Sequence, residues 1–268
     1  MLLDKFKKAK APEIERLKQQ KQAGHKFCVY DQRRPGFAKA LQDKGPGAII
    51  AEYKRASPSK GAINLNFSAE EVAGIYQKGG AAAISVLTEK EYFQGELEYL
   101  YQMQAPGLPL LRKDFLYHPL QIEQTGSTPA SALLLIVRMF TSNEEKQILA
   151  RLVLKTREMG MEPVVEVFQA KELEIARNIG SRIIQVNNRD LDSLQVDLNT
   201  ARSLSKEKDK REIWICASGI DLAEQVSEMA DLGYEACLVG SSLMQAAKPE
   251  ELLGELVLGE GQGARGKR

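Results

Sequence analysis

The chain has 268 residues, 43% of them hydrophobic, and a formal net charge of +1. That length and apolar content support one large core, and near-balanced, dispersed charges leave no broad electrostatic footprint for nucleic acid, although a single phosphate site stays open. Apolar runs such as 132–137 are much too short to span a bilayer, and the charged N-terminus, 1–10, lacks the apolar region of a signal peptide. A soluble, cytoplasmic protein without nucleic-acid or membrane partners is expected.

In chain order, residues 1–46 form an N-terminal extension that opens with a helical, lysine-rich segment and continues through Asp31-Gln32-Arg33-Arg34-Pro35-Gly36-Phe37. It either caps a barrel mouth or decorates the surface, and a basic run of this kind is commonly a solvated face. Short apolar runs then alternate with helical patterns. The expected strands are Ala48 to Lys54, Ala82 to Leu87, Leu108 to Arg112, Ala132 to Val137, Glu162 to Val167, Arg182 to Asn187, Glu212 to Ala217 and Ala236 to Val239. Apolar spacings of three and four predict helices over Ala69 to Lys78, Glu144 to Met159, Lys171 to Ile179, Leu222 to Leu232 and Pro249 to Leu256. Gly79, Gly160, Gly180 and Gly233 read as helix stop signals. Eight βα units predict an α/β protein with a closed (β/α)8 TIM barrel over 47–258, although an open doubly wound sheet shares the pattern. The Gly-, Lys- and Arg-rich tail, 259–268, is expected to be disordered.

The three cysteines, Cys28, Cys216 and Cys237, have no metal-ligand spacing, and the last two fall inside apolar strand-like runs as small buried hydrophobes. His25 and His118 neighbour neither a second ligand nor a nucleophilic serine motif. Zinc and a Ser/His/Asp triad are therefore disfavoured, and acid–base chemistry falls to lysines and carboxylates.

In a (β/α)8 barrel the active site lies at the C-terminal ends of the strands. Strand one runs as Ile49-Ile50-Ala51-Glu52-Tyr53-Lys54 into the turn Arg55-Ala56-Ser57-Pro58-Ser59-Lys60-Gly61. Alternation puts Glu52 and Lys54 on one side and Tyr53 on the other, so both charges face one cavity. Strand two leads into Thr88-Glu89, strand three ends in Arg112-Lys113-Asp114-Phe115, strand five carries Glu166, and strand six ends in Asn187-Asn188-Arg189-Asp190. Taken singly each has an ordinary explanation: an ion pair between Lys113 and Asp114, or between Glu52 and Lys54, and Asx-turns for Asn187 and Asn188. Taken together they place amines and carboxylates around one mouth. Strands seven and eight end instead in Ser218-Gly219-Ile220 and Gly240-Ser241-Ser242-Leu243-Met244. Small residues let backbone N–H groups approach an anion, the short helix after strand eight would aim its start at the same place, and Ser57 adds a hydroxyl. A phosphate site is expected there.

These residues resemble the indole-3-glycerol phosphate synthase family of tryptophan biosynthesis, from about Asp31 to Leu256, with IIAEYKRASPSKG the most specific stretch. Supporting motifs are Ser85-Val86-Leu87-Thr88-Glu89 with Tyr92-Phe93-Gln94-Gly95, Leu111 to Phe115, Leu134 to Val137, Asn187 to Leu191 and Gly240 to Met244. The resemblance implies ring closure of 1-(2-carboxyphenylamino)-1-deoxyribulose 5-phosphate to indole-3-glycerol phosphate, with loss of carbon dioxide and water. It implies no metal and no organic cofactor. By the same resemblance Lys113 is the general acid, Lys54 contacts the substrate carboxylate and assists dehydration, and Glu52 and Glu166 orient the ammonium groups and handle protons. Asn187 holds a substrate hydroxyl or carboxylate, Glu89 supports the catalytic group, and Ser57, Ser218, Gly219, Gly240 and Ser241 cradle the phosphate. The partner is a small phosphorylated aromatic substrate, and the expected state is a monomer or weak homo-oligomer.

Three departures stand out. Ala217 occupies the position where the family usually carries a pocket glutamate, Pro129-Ala130-Ser131 replaces a usual Gly-Ala-Asp, and Gln185 replaces a strand-six glycine. The last two read as drift, and Gln185 also reads as a polar compensation for Ala217. Two alternatives therefore stand beside the synthase: a phosphoribosylanthranilate isomerase-like enzyme, which Glu52 and Lys54 disfavour, and a weakened or engineered phosphate-binding barrel, which Ala217 favours.

Overall fold

Strand β1 (Ala48–Tyr53) lies between β2 (Ala83–Leu87) and β8 (Ala236–Val239), and the sheet runs on through β3 (Leu110–Lys113), β4 (Ala132–Ile136), β5 (Glu162–Val167), β6 (Ile183–Asn187) and β7 (Ile213–Ala217). Every neighbouring pair is parallel and the sheet closes on itself, so the computed structural model is a (β/α)8 barrel and the open-sheet alternative falls away. It describes residues 2–58, 60–63 and 67–258. The tail 259–268, expected to be disordered, lies outside the described residues.

The strands are near-continuous apolar runs because both faces are covered, one by the barrel interior and the other by the helices. All of β1, β2, β4, β6, β7 and β8 is buried. Helices begin where side chains satisfy their first N–H groups: Ser68 with Glu71, and Ser142 with Glu145, form capping boxes before Ala69–Lys78 and Asn143–Glu158. Gly160, Gly180 and Gly233 take the left-handed conformation after their helices, but beside Gly79 it is Gly80 that does so. Gly79 is needed for space instead, since a Cβ there would lie 2.8 Å from Leu253.

The helices Tyr99–Gln102, Pro119–Gly126 and Asn199–Leu204 were not foreseen, being too short for apolar periodicity to register. His118 caps one of them, its Nδ1 accepting the Leu120 N–H at 3.2 Å. Another unforeseen helix, Phe37–Lys44, follows Gly36, which has no side chain to cap it; Glu162 at the start of β5 accepts the Phe37 N–H at 2.6 Å instead. That contact seats the helix at the N-terminal end of the barrel.

The extension reaches the opposite end as well. Helix Leu2–Gln22 buries Leu3, Phe6, Lys10, Ile14 and Leu17, a stripe of three- and four-residue steps that packs it onto the barrel. Cys216 and Cys237 are register neighbours with no exposure, whereas Cys28 is exposed. Among the described residues no helix is long and apolar enough to cross a membrane.

Candidate active site

At the C-terminal mouth a cavity is lined by Glu52, Lys54, Lys113, Glu166 and Asn187, and by Ser57, Ser218 and Ser241. Period-two geometry puts Glu52 and Lys54, two positions apart, on the same side of their strand.

Lys54 Nζ lies 3.0 Å from Glu52 Oε1, and Ser85 Oγ donates to Glu52 Oε2 at 3.3 Å. Burial pushes the Glu52 carboxyl upward, but the Lys54 and Lys113 charges and these hydrogen bonds outweigh it and hold the group below the usual carboxylate range. Gly240 makes room for it: a Cβ there would lie 2.6 Å from Glu52 Oε1. Across the mouth, Lys113 Nζ faces Glu166 Oε2 at 3.7 Å, beyond hydrogen-bond range. Glu166 is 1% exposed, and the Gln185 amide donates to that same oxygen.

The ordinary alternative for Lys113 does not form. Asp114 turns to the outer side of β3, where Lys10 of the N-terminal helix approaches it at 3.0 Å and Arg112 at 2.9 Å. Thr88 Oγ1 donates to it at 2.6 Å and the Phe115 N–H at 2.8 Å. Burial raises this carboxyl, but the two cations and the hydrogen bonds from Thr88 and Arg112 prevail and hold it well below its ordinary value.

Asn187 lines the cavity while its Oδ1 accepts the Arg189 N–H at 3.0 Å, so it forms the expected Asx-turn as well. Asn188 points elsewhere. Its Nδ2 donates to the Ser218 carbonyl at 3.0 Å and its Oδ1 accepts the Ala201 N–H at 3.0 Å, bracing the loop after β7. In that loop Ser218 and Gly219 have φ of 70° and 84°, and a Cβ on Gly219 would meet Val196 at 2.5 Å. Gly219 and Gly240 shape the mouth without lining it. The helix after β8, Ser241–Gln245, has only five residues.

Glu89 does not line the cavity. It accepts N–H groups from Glu91, Tyr92 and Phe93 at 2.7–3.1 Å, tying down the loop after β2. Burial raises its carboxyl, the Tyr92 and Glu91 N–H groups oppose that, and the net shift is upward. Ala217 does line the cavity, in register with Asn187. Ala130 and Ser131 are buried at the start of β4, outside it.

Sequence reasoning missed the apolar walls. Phe93 and Phe115 line the cavity together with Leu2 and Phe6 from the N-terminal helix, and Phe6 stacks on Phe115 with centroids 4.0 Å apart and planes 14° apart. Arg189 also lines it, its Nη1 donating to the Leu194 carbonyl at 2.8 Å. The apolar spacing of the first helix was a signal that it packs on something, but not on what.

Fold and site together define a (β/α)8-barrel enzyme whose lysines and carboxylates converge on an aromatic-walled cavity. The indole-3-glycerol phosphate synthase profile matches residues 3–256. An indole-3-glycerol phosphate synthase of Desulforamulus reducens is 38% identical over 267 residues, covering 98% of this chain and 99% of its own. That of Aquifex aeolicus is 42% identical over 224 residues, covering 82% and 85%. The chain belongs to the indole-3-glycerol phosphate synthase family. Among solved structures, 3-hexulose-6-phosphate synthase of Salmonella typhimurium shares the barrel, with a TM-score of 0.61, 14% identity, and coverage of 79% of this chain and 97% of that one.

Proposed function

We propose that the chain closes the indole ring: it converts 1-(2-carboxyphenylamino)-1-deoxyribulose 5-phosphate to indole-3-glycerol phosphate, carbon dioxide and water. The observation that carries this reading is an ammonium, Lys113, set beside a buried carboxylate in a cavity walled by Phe93 and Phe115. An aromatic substrate needs such walls, and attack of its ring carbon on the ketone needs a proton donor at the ketone oxygen.

Lys113 protonates that oxygen as the carbon–carbon bond forms. Loss of the ring carboxylate as carbon dioxide restores the aromatic system, and Lys54, held by Glu52, contacts that carboxylate and assists departure of the hydroxyl as water. Glu166 and Glu52 stabilise positive charge developing on the substrate nitrogen and relay protons. Asn187 holds a substrate hydroxyl or carboxylate, and Glu89 keeps the loop after β2 in place. Ser57, Ser218 and Ser241 receive the phosphate, with Gly219 and Gly240 giving their loops the required close approach. Residues 1–46 serve as an extension on the 47–258 barrel, closing the mouth through Leu2 and Phe6. The reaction takes place in the cytoplasm without cofactor, in a monomer or weak homo-oligomer, with no nucleic-acid or membrane partner.

Fluorescence-monitored formation of indole-3-glycerol phosphate by the purified chain tests the proposal, and no signal with the intact substrate would reject it. Ala217 favours one second reading, a barrel of the same family that binds this substrate but turns it over slowly.

A further inference from the structure

We infer that Gln185 is a positioning residue for the reaction, holding Glu166 away from Lys113 so that the ammonium stays free for substrate. The inference rests on the proposed roles of Lys113 and Glu166.

Gln185 occupies the middle of β6 with no exposure, on the barrel's inner face, paired in register with Glu166 on one side and Ile215 on the other. A primary amide there is costly unless it is hydrogen-bonded, and its surroundings on the sheet suit an aliphatic side chain. Only one of its two polar atoms is used. Nε2 donates to Glu166 Oε2, while Oε1 is buried without a hydrogen-bond partner among the described residues. Its one hydrogen bond goes to a residue that lines the cavity, so what this amide positions is the Glu166 carboxylate.

The oxygen that receives the bond matters. Gln185 donates to Oε2, the oxygen that faces Lys113 Nζ at 3.7 Å, and this is the only hydrogen bond that the Glu166 side chain makes to the described residues. The other pair in the same cavity, Lys54 and Glu52, has no such competitor on its shared oxygen and closes to 3.0 Å. A neutral donor on β6 can anchor the carboxylate toward its own strand without adding charge, which an ammonium or guanidinium cannot do. Without it, attraction inside the cavity would draw Glu166 onto Lys113 and tie up the proton donor in a tight ion pair.

Gln185→Met tests this, because methionine matches the side chain in length and removes both polar ends. Its kcat should fall about tenfold with KM changed by less than about twofold, while the melting temperature stays level or rises as the unpaired amide disappears. The same substitution in a Glu166→Gln background, measured in single turnovers, should have no further effect, since the two residues act through one contact. A crystal structure of Gln185→Met should show Glu166 closed to hydrogen-bond distance of Lys113. Gln185→Leu provides the same readouts if the methionine variant folds poorly. An unchanged kcat, an equal loss in both backgrounds, or a carboxylate that has not moved would each overturn the inference. If Glu166→Gln is slow but Gln185→Met is not, this inference fails alone; if Glu166→Gln itself turns over normally, the proposed role of Glu166 fails with it.

Discussion

Arg112, Lys113 and Asp114 are consecutive, yet they belong to two different electrostatic environments. Arg112 and Asp114 face outward from β3 into a closed network with Lys10 and Thr88, in which the Asp114 carboxylate accepts from several donors. Lys113 faces inward, where its nearest carboxylate, Glu166, lies beyond hydrogen-bond range and its charge also acts on Glu52. Lys10 and Asp114 are almost fully shielded from water whereas Lys113 is 18% exposed, and the two sites also differ in saturation. Charges whose partners are all present lock the N-terminal helix to the barrel, whereas a charge left partly unpaired keeps its proton available for a ligand. Buried charge thus serves structure on one face of a strand and reactivity on the other.

The strongest way to break that division is Lys113→Ala. Turnover should fall by roughly 10²-fold or more, the usual contribution of a positioned proton donor, while the fold and phosphate binding persist. Near-normal kcat would sink the assignment of Lys113 as the acid.

Asp114→Ala should do the converse. It strands Lys10 and Arg112 in the interior, and removal of one partner from a buried charge network costs about 3 kcal/mol or more, so thermal melts should drop by several degrees. A melt like that of the unmodified chain would show the network to be dispensable. The pH dependence follows with a definite sign. A carboxyl held below its unfolded value contributes its full stability above that value, about pH 4, and loses it as pH falls toward the depressed folded value. The unmodified chain should therefore lose stability in acid denaturation series below about pH 4, and Asp114→Asn should flatten that slope.

Ala217→Glu sharpens the inner half of the comparison by adding a carboxylate to the cavity wall beside Asn187. We expect kcat/KM to rise about tenfold, equivalent to roughly 1.4 kcal/mol in the transition state. A lower kcat/KM with a lower melting temperature would instead show a pocket adapted to alanine, with the inserted charge crowded or desolvated.

The smallest expected effect concerns the phosphate end. Soaked inorganic phosphate should bind within hydrogen-bond reach of the Ser218 and Ser241 loops. An anion found only elsewhere on the barrel would reverse the proposed substrate orientation.

Much of this was legible locally. The apolar runs located all eight strands to within a few residues, because a parallel strand covered on both faces cannot hide its composition. Alternation placed Glu52 and Lys54 on one face, and they meet there. Short helices such as Asn199–Leu204 were not legible, since one turn and a half is too little for periodicity to show. Alternation sets Lys113 and Asp114 on opposite sides of the strand but does not say that Glu166 faces Lys113 from across the barrel. Glu89 illustrates the same limit: its position after strand two suggested the mouth, and the structure turns it back onto its own loop.

The residues themselves determined the eight βα units, the charges at the strand ends and the family to which they belong, because strand period and strand-end chemistry act over a few neighbouring positions; closure of the sheet was decided by tertiary structure. Tertiary structure decided which charges pair. Lys10 reaches Asp114 across 104 positions, and Phe6 closes on Phe115 from the far end of the chain. Gln185 finds Glu166 across 19 positions. Such pairings depend on strand register and helix docking, and a buried charge takes whichever partner those bring within about 3 Å.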